Sequence, residues 1–141
     1  MIHTFLKYLK NNNIDYVITN GYMDLYENLS SENDVDILFK NKDFISIEKT
    51  IKDFCNKEDF KIVQIYHQEV YAKNIFLYSN KTQEILNLDI YGKLHKNNYE
   101  YFSEKEIFEN KILYKEISVL AKHQEFFHYF LKKISPDRIS R

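Results

Sequence analysis

Asp34-Val35-Asp36-Ile37-Leu38-Phe39 decides how this chain is read. Val35, Ile37 and Phe39 alternate with Asp34, Asp36 and Leu38, the period-two pattern of a β-strand. Successive side chains leave opposite faces, so Asp34 and Asp36 share one face, about 7 Å apart along the backbone. Val35 and Ile37 turn the other way, into a core. Two like charges this close repel each other, and a cation offsets that repulsion. An acid-apolar-acid strand is therefore a seat for Mg²⁺, which takes oxygen ligands and keeps waters and substrate phosphates. A solvated turn can carry the same two acids, so the rest of the chain has to support the reading.

Upstream, Ile14 to Thr19 reads as a short strand running into Asn20-Gly21, and Tyr22 to Asn33 is polar and loop-like. Before it, Ile2, Phe5, Leu6 and Leu9 have the spacing of an amphipathic helix, ended by Asn11 to Asn13. Downstream, Phe44, Ile47, Ile51, Phe54 and Cys55 mark a second helix, with Asn41 or Asp43 as its cap. Three strands are expected at Phe60 to Tyr66, Val70 to Tyr78 and Glu84 to Tyr91. Ser79-Asn80-Lys81-Thr82 supplies a hairpin turn. Ser103 and Glu106 have capping-box spacing. Ile112 to Leu120 reads as a short strand or an extended arm. His123, Phe126, Phe127, Phe130, Leu131 and Ile134 form a wide apolar stripe at helical spacing, with His123 as a buried, hydrogen-bonded member, and Pro136 stops that helix. The expected fold class is α+β: a mixed, largely antiparallel sheet backed by helices, in a single domain spanning residues 1–141.

The third acid is Asp89, in Leu86-Asn87-Leu88-Asp89-Ile90-Tyr91. Leu86, Leu88 and Ile90 share one face, and Asp89 lies on the other with Asn87 and Tyr91. An acid in an apolar strand is costly unless it is solvated, paired or bound to metal.

Composition sets the boundaries. The 141 residues amount to one domain. Twelve Tyr and 11 Phe argue against disorder. A formal net charge of −1 gives no reason to expect duplex nucleic acid or an anionic membrane as partner. The abundance of Lys, Ile and Asn fits an AT-rich coding bias and lowers the weight of any single lysine. Cys55 is the lone cysteine, reads as a buried structural thiol and can form no internal disulfide. No secretory signal and no apolar run of membrane-spanning length is evident, so the cytoplasm is the expected compartment.

Taken together, a strand ending at Gly21, a spacer, Asp34-Val35-Asp36-Ile37 and a later strand acid at Asp89 resemble the nucleotidyltransferase superfamily, the polymerase-β-like fold. The likeness is greatest to nucleotidyltransferase-like domains of bacterial polysaccharide gene clusters. These carry segments similar to Tyr16-Val17-Ile18-Thr19-Asn20-Gly21-Tyr22, Leu88-Asp89-Ile90-Tyr91 and Tyr99-Glu100-Tyr101-Phe102, and a closing helix similar to Phe127 to Lys133. The resemblance covers roughly residues 10 to 134. It departs at two positions: Tyr22 stands where the superfamily often has Ser, and Asn20 where that branch usually has Arg.

The resemblance implies transfer of a nucleotidyl group from a nucleoside triphosphate to a hydroxyl or phosphate of a small molecule, a sugar among them, or of a protein. It implies Mg²⁺ or Mn²⁺ held by Asp34, Asp36 and Asp89, with Asp89 nearest the acceptor and able to act as its base. The three carboxylates are then expected to converge within one metal's reach. Asn20, Gly21 and Tyr22 would line the nucleotide, Gly21 letting the backbone approach phosphate. Minimal domains of this fold often draw on a partner domain or a second copy to hold the acceptor. The competing implication is a non-catalytic module of the same fold that binds a nucleotide or a partner. Lys93 and His95 can reach a phosphate but read better as a solvated strand end. Lys132 and Lys133 read as complements to a helix dipole. Tyr22, Tyr91 and Tyr99 are weak candidates for stacking on a base.

Overall fold

Ile2, Phe5, Leu6 and Leu9 are all buried on one side of the first helix, as their spacing predicts. The computed structural model describes residues 1–23, 25, 34–97 and 99–134. In chain order the elements are α1 (Ile2–Asn11), β1 (Tyr16–Ile18), β2 (Val35–Phe39), α2 (Asn41–Ile45), α3 (Ile47–Glu58), β3 (Phe60–Glu69), β4 (Ala72–Ser79) and β5 (Ile85–Tyr91). There follow β6 (Leu94–Lys96), β7 (Tyr99–Phe102), α4 (Glu104–Asn110), β8 (Ile112–Tyr114), β9 (Ile117–Val119) and α5 (Lys122–Lys133). The expected loop from Tyr22 to Asn33 lies mostly outside the described residues, as does Pro136.

Among the described residues seven strands form one sheet in the order β3-β4-β5-β2-β1-β9-β8. β2 runs parallel to β5, and β1 parallel to β9. The remaining neighbours are antiparallel, so the chain is α+β with a mixed, mostly antiparallel sheet. Among the described residues no helix is long and apolar enough to cross a membrane.

The main core lies on one face of this sheet. Phe5 of α1 and Ile51 and Phe54 of α3 cover Ile18, Ile37, Ile75, Leu77, Leu88 and Ile90. Phe54 meets Phe5 and Phe60 at ring separations of 5.0 and 4.9 Å. Cys55 is buried there, and burial pushes its thiol up to about 11. Among the described residues the opposite face carries a smaller second core of Val17, Leu38, Leu94, Ile107 and Leu120. Beyond that patch the second face is polar.

Several elements differ from the expectation. The helix marked by Phe44 to Cys55 is two helices that meet at Ser46. Neither Asn41 nor Asp43 caps it: Lys40 occupies the capping position with no side-chain bond, and the Asn41 amide donates to Glu104 Oε2 at 2.6 Å. A carboxylate from α4 thus serves a helix start that local sequence leaves open. The hairpin β6–β7 has strands too short to show alternation in sequence. Ile112 to Leu120 is neither a single strand nor an arm. It folds as the hairpin β8–β9, turning through Lys115 and Glu116, both in the left-handed region (φ 44° and 72°). The capping box at α4 forms fully between Ser103 and Glu106.

α5 departs most. Its inward residues are Gln124 and His128, whereas Phe126 is 70% exposed and Phe127, Tyr129, Phe130 and Ile134 are exposed beside it. His123 is exposed, and the buried histidine is His128. The physical reason is the surface that α5 meets. It packs near the polar face of the sheet, so its polar side is the one that finds partners.

Candidate functional site

The second face carries a row of polar side chains across four adjacent strands. Asp36 of β2 pairs in register with Asp89 of β5, and Asp89 with Asn74 of β4. Thr19, just past β1, extends the row, its amide donating to the Asp36 carbonyl at 3.0 Å. Asp36 is buried, at 8% exposure, because every residue of β2 is covered. Asp34 is exposed and sits immediately before β2 rather than within it.

Each carboxylate has protein donors. Tyr91 donates to Asp36 Oδ1 at 3.1 Å, and Lys132 Nζ stands 3.3 Å from Asp36 Oδ2. Asn74 donates to Asp89 and also, at 2.9 Å, to Asn87 Oδ1. Asn87 in turn donates to Asp34. Asp34 is therefore tied to Asp89 by a chain of amides, while Asp36 is held separately by Tyr91 and Lys132. Burial raises Asp89 above the usual carboxylate range, further than the Asn74 hydrogen bond lowers it. Asp36 and Asp34 add to the rise by repulsion, and Lys132 opposes it. Burial, with repulsion from Asp36, Asp89 and Asp34, raises the Tyr91 phenol, which keeps the proton it donates to Asp36.

A hard, all-oxygen donor set with one nearby lysine suits Mg²⁺ in chemistry. Its present arrangement is looser than expected. Among the described residues no three His, Cys, Asp or Glu side chains stand together closely enough to hold a metal ion. For the three acids to close on one ion, they would turn away from Asn74, Asn87 and Lys132.

Two clefts flank the row, separated by α5. One, of about 340 Å³, is lined by Tyr91, Lys93, His95, Tyr101, His128 and Lys132, among others. The other, of about 270 Å³, lies between Thr19-Asn20 and Lys122, Glu125, His128 and Lys132. His128 is 5% exposed, and its Nδ1 lies 2.6 Å from the Tyr101 hydroxyl. Burial lowers its pKa to about 4, with Lys132 adding to the fall and Asp36 opposing it.

The structure brings Asp34, Asp36 and Asp89 to one face and sets Asn20 beside them on a cleft. Gly21 is exposed, with φ 71° in the left-handed region, a backbone state glycine adopts without strain. Tyr22 is buried, its ring edge-on to Tyr114 at 5.0 Å, and so offers no stacking face to a base. Tyr99 is exposed and remote from the row, whereas Tyr91 belongs to it through its hydroxyl. His95 pairs with Glu69 at 3.2 Å and Lys93 with Glu100 at 3.4 Å. Thr19, Asn74, Asn87, His128 and Lys132 were missed as site residues. Alternation set Asn87 on the face of Asp89 without marking it as a site residue, while Asn74 joins them only through the β4–β5 pairing. Lys132 lies in the last turn of α5, as the dipole reading expects, and is also the counter-charge of Asp36. Comparison with protein-family models, with curated proteins and with solved structures finds no match for this chain.

Proposed function

We propose that this protein is a metal-dependent nucleotidyltransferase, moving a nucleoside monophosphate from a nucleoside triphosphate to a hydroxyl or phosphate acceptor, and working in the cytoplasm. The observation that carries the reading is the parallel register of β2 and β5. It sets Asp36 beside Asp89, with Asp34 two residues before, on the one sheet face not filled by the main core. The nucleotidyltransferase-like arrangement of strands is part of the same proposal.

Bound Mg²⁺ or Mn²⁺ would supply charge neutralisation at the phosphates and make the acceptor hydroxyl more acidic. Asp34 and Asp36 would hold it, and Asp89 would face the acceptor. With its pKa raised by burial, Asp89 is a better proton acceptor than an ordinary carboxylate. Lys132 would leave Asp36 for phosphate oxygen as the ion arrives. Gly21 permits close approach of the backbone to the nucleotide.

A second reading, a non-catalytic nucleotide- or partner-binding module, is favoured by one observation. All three carboxylates already have protein donors, and a lysine already serves Asp36. Calorimetric titration with each of the four nucleoside triphosphates, with and without Mg²⁺, separates the two from an inert domain. Mg²⁺-dependent binding that Asp36→Asn abolishes is expected. Binding indifferent to both Mg²⁺ and Asp36 would contradict the metal-dependent reading.

A further inference from the structure

Among the described residues three buried side-chain atoms have no hydrogen-bond partner: Thr19 Oγ1, Gln124 Oε1 and His128 Nε2. Buried polar atoms are satisfied as a rule, and each exception calls for an explanation. Two of the three line the same cleft of about 270 Å³, between the end of β1 and the inner side of α5. Thr19 is 1% exposed and His128 5%, so bulk water reaches neither side chain freely.

We propose that this cleft binds a phosphate group, which accepts hydrogen bonds from Thr19 Oγ1 and His128 Nε2 and is neutralised by Lys122 and Lys132. The proposal deepens the reading above by naming residues that take the substrate's phosphate, and it rests on that reading only for what carries the phosphate.

The hydrogen-bond pattern sets the polarity of the cleft. Tyr101 is half-buried, and that burial raises its phenol, so the hydroxyl keeps its proton. Donated to His128 Nδ1, that proton leaves the ring hydrogen on Nε2, assigned here from the partner. Nε2–H is then a donor with nothing to donate to, and the Thr19 hydroxyl is another. Two unpaired donors need an acceptor. Lys122 and Lys132 make that acceptor an anion. Among the described residues Glu125 is the one acid lining the cleft; it accepts from the Tyr22 hydroxyl at 3.4 Å and lies 3.2 Å from Lys122, which an anion would share. The volume suits a phosphate with a small substituent.

The cleft also meets the acidic row. Lys132 lines it and holds Asp36, so a phosphate that draws Lys132 away would free Asp36. Anion binding and cation binding should therefore favour each other. Arg and Ser, absent at positions 20 and 22, would then be replaced in role by residues of α5 rather than lost.

The test uses the full chain without divalent metal, titrated with inorganic tripolyphosphate and, in a separate arm, a hexose phosphate, followed by calorimetry and by the His128 Nε2–H signal in NMR. Saturable binding in the millimolar range or tighter is expected in at least one arm. The tripolyphosphate arm speaks for a nucleotide tail and the hexose phosphate arm for an acceptor. Thr19→Val should weaken binding at least about tenfold, the effect of one hydrogen bond to a charged group, while melting no lower than the wild type. Thr19→Ser should restore it. Lys122→Met should weaken it as well. Absence of binding in both arms, or full affinity in Thr19→Val, would overturn the proposal. Phosphate binding without nucleotidyl transfer would remove the proposed function and leave this site standing.

Discussion

At the scale of single residues, His128 carries a pH signature that falls just below neutrality. An unfolded histidine titrates near 6.5, and burial lowers this one to about 4. Between those values the unfolded chain binds more protons, so stability rises with pH across the window and is lost as pH falls through it. Its share of the loss between pH 7 and pH 5 should be about 2 kcal/mol. His128→Gln, which keeps a polar partner for Tyr101, should flatten that part of the pH dependence. Melting curves of both proteins at the two pH values check this, and parallel losses would contradict it. Asp34, Asp36 and Asp89 could be read from alternation because a strand's period fixes which side chains share a face. Thr19, His128 and Lys132 could not. Lys132 lies 96 positions from Asp36, and only the docking of α5 brings them together.

The elements obey local rules where they meet the main core and break them elsewhere. α1 and α3 bury the stripes their spacing predicts, since both lie on the apolar face of the sheet. α5 has an equally clear stripe and turns it outward, because its neighbour is the polar face. Periodicity reports that a helix exists, not which side is covered. Phe126→Glu with Phe130→Glu should therefore shift stability by less than about 1 kcal/mol, as exposed substitutions do. Phe54→Ala should cost about 3 to 5 kcal/mol. A large loss from the α5 pair in chemical denaturation would contradict the outward placement. Gly92, between β5 and β6, packs closely against α2, and a Cβ there would fall 2.7 Å from the Phe44 ring. Gly92→Ala should push α2 off the sheet and cost about 1 to 3 kcal/mol, the range for overpacking. Denaturation at unchanged slope would measure it, and a neutral result would mean that α2 yields freely.

At the scale of the whole molecule, the arrangement follows from one topological choice. β3, β4 and β5 form an antiparallel meander, and the chain then sets β5 parallel against β2 rather than closing on itself. That choice joins an acid at position 89 to acids at positions 34 and 36. The sheet's other flank repeats it, with β9 parallel to β1. α+β content was legible in the sequence because each element signals itself locally. Strand order was not, since β2–β5 and β1–β9 pair over distances that no period records. The proposed function requires the assembled acids to do nucleotidyl chemistry. Pyrophosphate release tests it most directly: the full chain with Mn²⁺, the four nucleoside triphosphates and a panel of sugar phosphates, beside Asp36→Asn. Release by the wild type with a matching acceptor is expected, reduced about a hundredfold or more in the variant, as loss of one charge-stabilising group from a transition state would give. Equal release from both proteins, or none from either across the panel, would contradict it.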